Sequence, residues 1–279
     1  MSSTVDRYRR EAVRARLATR WGKALVFGPP LIAVAGIGYT AQSPTAGIYA
    51  GILALVGTFG LVWSLAGTAA IRRALAAWGE PRHLTPADPA PKPAGMKWVD
   101  AMRGKMGPGL TGTLAGGDGG LGHFTYTTGS GKDREEHPFT LAWSRVGAGD
   151  LVTAVSLGPR EMGGLFDGIV GAFSSWHELE LESVEFDHRF SLWVADRSDD
   201  LAVRRFFTPS VIVQCLERPP AGRLEIAAGI LCLSVARHLV EPDDLDAVAA
   251  ELTRWAGMLR AGAGRVADAA AGGVDGVPA

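Results

Sequence analysis

A run of 48 residues without a charged side chain, from Ala24 to Ile71, most constrains the fold of this chain. Two apolar segments, 24–41 and 46–71, are separated in it by the polar turn QSPT. A helix of about 20 apolar residues crosses a bilayer core of about 30 Å. The run therefore predicts a transmembrane helical hairpin that satisfies its own backbone hydrogen bonds. The alternative for the first segment is a cleaved signal peptide, which the closely following second segment disfavours.

The basic residues on either side of this run predict its orientation. Six arginines and one lysine precede the first segment, and the QSPT turn carries no charge. Because basic residues mark the cytoplasmic ends of membrane spans, we predict two spans in the inner membrane with both termini in the cytoplasm. The basic arm is expected to contact anionic lipid headgroups. The predicted membrane-flanking residues are Arg20, Lys23, Arg72 and Arg73.

Small residues recur at four-residue spacing within the apolar run, at Gly47, Gly51, Gly60 and Ser64. Such spacing lets two helices approach closely. These residues could pack the two helices of the hairpin on each other or mediate self-association, and the pattern leaves both open. No ionisable residue lies inside the run, which argues against a transporter or pump.

The remaining chain predicts an α+β domain with an antiparallel sheet and packed helices. Alternating segments such as 122–129, 137–146 and 190–196 favour strands, and 96–110 and 208–219 favour helices. A last helix follows Pro242 and is expected to dock on the sheet. The apolar stripe of that helix is Leu245, Val248, Leu252, Trp255 and Leu259. The predicted organisation is a basic arm (1–23), the hairpin (24–71), a Pro-rich linker (72–95), the α+β domain (96–260) and a disordered tail (261–279).

The stretch HELELESVEFDHRF, residues 177–190, is the densest cluster of chemically reactive side chains. Its alternation predicts a strand with leucines on one face and solvated glutamates on the other. The apolar phase then shifts, which requires a turn, and Phe186 and Phe190 are spaced to anchor a single helical turn in the core. A divalent metal on Glu180, Glu182 and His188 is a weaker alternative, and partner binding is a third.

Other motifs do not support catalysis. GDGGLG (117–122) matches a dinucleotide fingerprint, but a strand-like segment follows it where a helix is required, so we predict a flexible loop. Cys215 and Cys232 lie in apolar runs and form neither a disulfide framework nor a zinc site. The net charge of −1 does not favour nucleic acid. No catalytic residue and no cofactor are predicted.

The segment 181–217 resembles a bacterial family of two-span membrane proteins catalogued as domain of unknown function 3137. The resemblance covers roughly residues 120–260, with the two apolar segments added, and it implies this architecture without a reaction. Phe206 and Phe207 depart from the aliphatic residues usual in that family. The matching residues are Glu182, Glu185, Phe186, Arg189, Phe190, Asp196, Ala202, Arg204, Thr208, Pro209 and Leu216.

Taken together, the sequence predicts a non-enzymatic, integral inner-membrane protein. Its cytoplasmic α+β domain would act as a scaffold that binds a protein partner or self-associates, in contact with the lipid bilayer. The alternative is a membrane-anchored hydrolase or metal-dependent enzyme that uses the acidic cluster at 178–188.

Overall fold

The computed structural model of the chain describes residues 4–40, 44–102, 104–147, 154–162, 175–196 and 198–272. The chain divides into two compact units, Met1–Trp78 and Gly79–Ala279. The predicted domain bounds differ from this division and stay predictions. We describe each unit by itself.

The first unit consists of helices α1 (Thr4–Ala18), α2 (Arg20–Thr40) and α3 (Pro44–Gly79). Helix α1 lies against α3, and the guanidinium of Arg9 in α1 is next to Gly67 in α3. Helices α2 and α3 approach each other where Gly51 faces Val34 and the Pro30 carbonyl. A side chain at Gly51 would collide with Val34, so this contact requires glycine.

The predicted transmembrane hairpin is contradicted by the structure. Among the described residues, no helix combines the length and the apolarity that a bilayer crossing requires. The run 24–71 was interpreted as apolar because it lacks charge, but eight of its residues are glycine and ten are alanine. These residues are uncharged and contribute little apolar surface. The predicted two-span fold, the integral membrane function with its membrane-anchored enzyme alternative, and the inner-membrane location are therefore wrong.

The second unit is built on a mixed arrangement of helices and an antiparallel sheet, as far as the described residues extend. The strand order is β1-β2-β3-β4-β9-β8-β5-β7-β6, and every neighbouring pair is antiparallel. The strands are β1 (Thr85–Ala87), β2 (Gly104–Leu114), β3 (Gly117–Thr128), β4 (Glu135–Arg145), β5 (Val155–Pro159), β6 (Trp176–Glu178), β7 (Phe190–Ala195), β8 (Arg223–Ala227) and β9 (Ile230–Val235).

In the described part of this unit, the α-helices are α4 (Lys97–Ala101), α5 (Val184–Arg189), α6 (Asp200–Phe206), α7 (Pro209–Glu217) and α8 (Pro242–Gly272). Helix α8 packs on β4 and β9, and α5 packs on β7. The five residues of the α8 stripe are at most 3% exposed, which confirms the predicted docking of this helix. We call the side of the sheet that α8 covers the helix face.

The opposite side of the sheet, which we call the α4 face, has a different cover. Trp98 and Val99 of α4 and the flanking Met96 and Met102 are 0–2% exposed, and they pack on aromatic side chains of the sheet. The aromatic residues of this cluster in the strands are Phe124, Tyr126, Phe139, Trp143 and Trp176.

Two sequence predictions are wrong in this unit. The predicted helix over 96–110 ends at Ala101, and β2 begins at Gly104. The GDGGLG segment forms the start of β3 and is paired with both β2 and β4. Its glycines allow close contacts, since a side chain at Gly120 would meet the Leu110 carbonyl and the Trp143 indole.

Candidate functional site

A groove of about 510 Å³ lies beside the acidic stretch, between the chain at 181–183 and helix α7. Clefts of 300–1,000 Å³ are typical of ligand-binding sites. We call this site the α7 groove. It is lined by Leu181, Glu182, Ser183, Arg204, Phe207, Thr208, Pro209, Ile212, Val213 and Leu216.

Helix α7 contributes one wall because its two sides have different roles. Thr208 precedes the helix and Pro209 occupies its first turn, where the missing N–H costs nothing. Val211 and Cys215 are buried, which fixes one side of the helix to the domain. The neighbouring side, with Ile212 and Leu216, faces the groove. The wall thus follows from the helical period.

The opposite wall is fixed by the turn predicted from the acidic stretch. The Ser183 hydroxyl accepts the Phe186 N–H (3.4 Å) and begins α5. The rings of Phe186 and Phe190 are 5.1 Å apart, and both are at most 2% exposed. The predicted single helical turn with two core rings is confirmed. Phe186 also lies 5.9 Å from Phe207, which joins this wall to the groove floor.

Two side chains of opposite charge lie on the rim of the groove, Glu182 and Arg204. Both are exposed, and neither forms an ion pair with any residue that the structure describes. The hydroxyl of Thr208 is 2.9 Å from that of Ser210. The rim can therefore accept both an anionic and a cationic group from outside.

One exposed large apolar side chain of this unit lines the groove, and two others lie near lining residues in the sequence. In the described part of the unit, the large hydrophobic residues with high exposure are Val184 (76%), Leu201 (53%) and Val213 (49%). Val213 lines the groove, and Val184 follows the lining residue Ser183. Leu201 precedes Arg204 by one helical turn. Exposed apolar residues gathered in one place mark interaction sites.

The acidic stretch itself does not gather into a metal site in the described residues, where no group of three or more potential ligands is placed to hold an ion. Leu179 and Leu181 are buried while Glu180 and Glu182 are exposed, as the alternation predicts. His188 is exposed on α5. The strand that was predicted through this stretch is confined to Trp176–Glu178.

His177 and Glu178 on β6 connect the neighbouring elements by polar contacts. His177 Nε2 is 3.1 Å from both carboxylate oxygens of Asp200, at the start of α6, and Nδ1 is 3.3 Å from Asp196. These hydrogen bonds, mainly the one to Asp200, raise the pKa of His177. Arg160 donates to Glu178 (2.7 Å) and to the Asp187 carbonyl (2.9 Å). Both histidine nitrogens are engaged, so His177 positions α6 and is not available as a base.

The other predicted site residues lie in the first unit. Arg72 and Arg73 are exposed on α3. Gly51 is buried against Val34. Among the described atoms beyond its own stretch of helix, none lies within 4 Å of the position that a Cβ at Gly60 would take. The side chains of Arg20, Lys23 and Ser64, and the surroundings of Gly47, lie outside the described residues.

Sequence reasoning did not identify the groove. One feature of the sequence did indicate it. Val213 is an apolar residue outside the predicted buried stripe of the helix, which consists of Val211, Ile212, Cys215 and Leu216. It also missed a buried pair of opposite charge on β8, Arg223 and Glu225. The alternation of these charged residues with Leu224 and Ile226 is typical of a strand with one solvent-exposed face. In this structure, however, Arg223 and Glu225 are buried.

No family model matches this chain, and no curated protein matches it. Among solved structures, the chain is similar to the crystal structure of the mycobacterial trehalose monomycolate transport factor A. The two share 12% sequence identity, with a TM-score of 0.42, over 68% of this chain and 94% of the other. A likeness of this size supports no inference about function.

Proposed function

We propose that the second unit is a protein-binding domain, and that its α7 groove holds a short amphipathic segment of a protein partner. The observation that carries this proposal is the coincidence of three features at one place. These are a groove of suitable volume, the exposed apolar side chain of Val213 in its lining, and two rim charges without an ion-pair partner in the described chain.

The apolar part of the groove defines what the partner must supply. Ile212, Val213 and Leu216 present apolar surface along about one turn of α7, and the buried Phe207 forms the floor. Burial of such surface favours association, and the loss of translational and conformational freedom on binding offsets part of this gain. An amphipathic helix or short extended segment with two or three large apolar side chains fits this surface, as in other helix-in-groove complexes.

The rim charges define the polar part of the partner. Arg204 can pair with an acidic side chain, and its planar guanidinium suits a carboxylate. Glu182 on the same rim would repel a ligand that carries only negative charge, such as a fatty acid. The mixed rim therefore favours a peptide with an acidic and a basic residue beside its apolar positions. The resemblance stated above points to the same place, since Glu182, Arg204, Thr208, Pro209 and Leu216 are shared by both sets.

A selection with the purified full-length chain tests this function. The probe is a phage-displayed library of random peptides, followed by the synthetic form of the most enriched sequence. Enriched peptides should carry large apolar residues three or four positions apart and an acidic residue beside them. Val213→Asp should abolish binding of that peptide, whereas Gln214→Asp, on the exposed neighbouring residue outside the groove, should not.

The charge on the rim is tested with a second matched pair. Arg204→Glu should weaken the peptide by about tenfold, whereas Arg205→Glu should change the dissociation constant by less than about twofold. Both arginines are exposed on α6, but only Arg204 lines the groove. The absence of any enriched peptide, or equal effects of the two arginine variants, would overturn the proposal.

A further inference from the structure

Helix α4 is capped by a side chain from a distant strand. The residue before the helix, Met96, has no side-chain acceptor. Instead, the Trp98 N–H donates to the two carboxylate oxygens of Glu225, at 3.2 and 3.1 Å, across 127 positions of sequence. A carboxyl group stabilises the first turn of a helix by accepting such N–H groups. The position of α4 is therefore tied to one residue of β8.

The Glu225 carboxyl is deeply buried, at 1% exposure of the residue. Burial raises its pKa to about 8, although the N–H groups of Trp98 and Lys97 and the charge of Arg223 oppose this effect. Arg223 is 5% exposed and donates to the Ser156 hydroxyl (2.7 Å), and burial lowers its own pKa to about 10. Burial of the Glu225 carboxyl therefore outweighs the opposing charge of Arg223, which lies two positions before it on β8.

The groups that face Glu225 come from three elements. Arg223 lies beside it on β8, Cys232 lies opposite on β9, and Asp100 is on α4 itself. Asp100 disfavours ionisation of Glu225 and pairs with Lys92 at 2.9 Å. When α4 lies on the sheet, burial and these groups together favour the neutral form of the Glu225 carboxyl.

A five-residue helix has little stability of its own. Trp98, Val99 and the flanking Met96 and Met102 are nevertheless at most 2% exposed, because they cover the aromatic cluster of the α4 face. Movement of this segment away from the sheet would uncover Trp143 and its aromatic neighbours. A segment that is small, capped from a distance and laid over an aromatic surface is suited to open locally without unfolding the sheet.

We propose that α4 is a pH-controlled cover, and that ionisation of Glu225 releases it from the aromatic side chains of the α4 face. In the open state the carboxyl is in water with an ordinary pKa near 4.5, and in the closed state its pKa is about 8. Between these values the open state binds fewer protons than the closed state. Rising pH therefore favours opening across this window, and opening levels off above about pH 8. This device does not depend on the α7 groove.

Hydrogen exchange of the full-length chain, corrected for the intrinsic rate at each pH, tests the cover. The protection factor of the Trp98 amide should fall at least tenfold between about pH 5 and about pH 8, while that of Leu252 in α8 stays unchanged. Glu225→Gln should remove this pH dependence. Glu217→Gln, at an exposed carboxyl of α7, should leave it as in the natural chain.

Asp100→Asn keeps the test decisive if Glu225→Gln does not fold, because Asp100 is half exposed at 50%. Its removal lowers the pKa of Glu225, so the fall in Trp98 protection should be smaller and level off at a lower pH. Constant Trp98 protection across this range in the natural chain would overturn the proposal. So would an unchanged pH dependence in Glu225→Gln, or a parallel fall at Leu252.

Discussion

The two faces of the sheet are closed by helices of very different size, 31 residues in α8 and five in α4. On the helix face, the buried histidine ring of His123 donates to the Leu239 carbonyl (2.9 Å) and stacks on His238 with 4.2 Å between centroids. On the α4 face, the buried polar residues include the charged residue types Arg223 and Glu225 as well as Ser156 and Ser234. A long helix seals its face by apolar contact, whereas the short one depends on a carboxyl group.

The largest difference between the faces is expected from their central tryptophans. Trp255 of α8 is 1% exposed and donates to Glu251 (2.7 Å). Trp255→Ala should lower the free energy of unfolding of the second unit by about 3–5 kcal/mol, because it leaves a cavity and removes apolar contacts. Urea unfolding followed by circular dichroism measures this loss, with Thr253→Ala at an exposed position of α8 as the control. A loss below about 1 kcal/mol would show that α8 is not the main cover of the sheet.

The second difference is in the response to acid. Burial, with a contribution from His238, lowers the pKa of His123 to about 4, and burial lowers that of His238 as well. The unfolded chain therefore binds more protons than the folded chain between about pH 6.5 and about pH 4. The free energy of unfolding should fall through this window as pH decreases, by up to about 3 kcal/mol for His123.

Thermal or urea unfolding across this pH range measures how steeply the free energy of unfolding falls with decreasing pH. His123→Gln should make this dependence less steep. Glu225 acts in the opposite direction, because its contribution is lost as pH rises from about 4.5 to about 8. The two faces should thus weaken at opposite ends of the pH scale. An unchanged acid slope in His123→Gln would contradict this assignment.

A smaller effect is expected from the tryptophan of the short helix. Trp98 is fully buried, yet the segment that carries it can leave the sheet without global unfolding in our account. Trp98→Ala should lower the free energy of global unfolding by only about 1–2 kcal/mol and should abolish the hydrogen-exchange protection of residues 97–101. Urea unfolding measures the loss of global stability, and hydrogen exchange on the same sample measures the loss of protection at residues 97–101. A global loss as large as that of Trp255→Ala would show that α4 is an integral part of the core.

The smallest effect on stability is expected from substitutions in the α7 groove, because we assign its residues to partner binding and not to folding. Val213 is 49% exposed and Arg204 is on the rim. Val213→Asp and Arg204→Glu should each change the free energy of unfolding by less than about 0.5 kcal/mol. Urea unfolding checks this, and a loss above about 2 kcal/mol would mean that these residues support the fold instead of a partner.

Much of the second unit is encoded in local patterns. The α8 stripe has one apolar period, and the shift of phase after Leu181 identifies the α5 turn, so both were predicted from the sequence. The run 96–110 was misassigned because its first residues do form a helix. From Gly104 onward the chain is held by pairing with β3, and a side chain at Gly109 would collide with the Leu121 carbonyl.

The remaining features depend on contacts that have no local signature. The glycine-rich sequence around Gly120 is typical of a loop, but the absence of a side chain at Gly120 makes room for the Trp143 indole. Glu225 looks like a solvated strand residue, but it caps a helix 127 positions away. The helical hairpin of 24–71 was predicted to span a membrane from the absence of charge, which is a weaker criterion than apolarity. The α7 groove combines two separate stretches of sequence, 181–183 and 204–216, and only the apolar Val213 on an exposed side of α7 indicated it.

A charge-swap experiment tests the central claim, that the α7 groove binds an amphipathic segment of a protein, most directly. The selected peptide and a version with its acidic residue replaced by lysine are titrated against the natural chain and Arg204→Glu. The lysine peptide should bind Arg204→Glu at least about tenfold more tightly than it binds the natural chain, with a coupling energy of about 1–3 kcal/mol. Equal affinity of the lysine peptide for both proteins would contradict the claim that Arg204 and the groove recognise the partner.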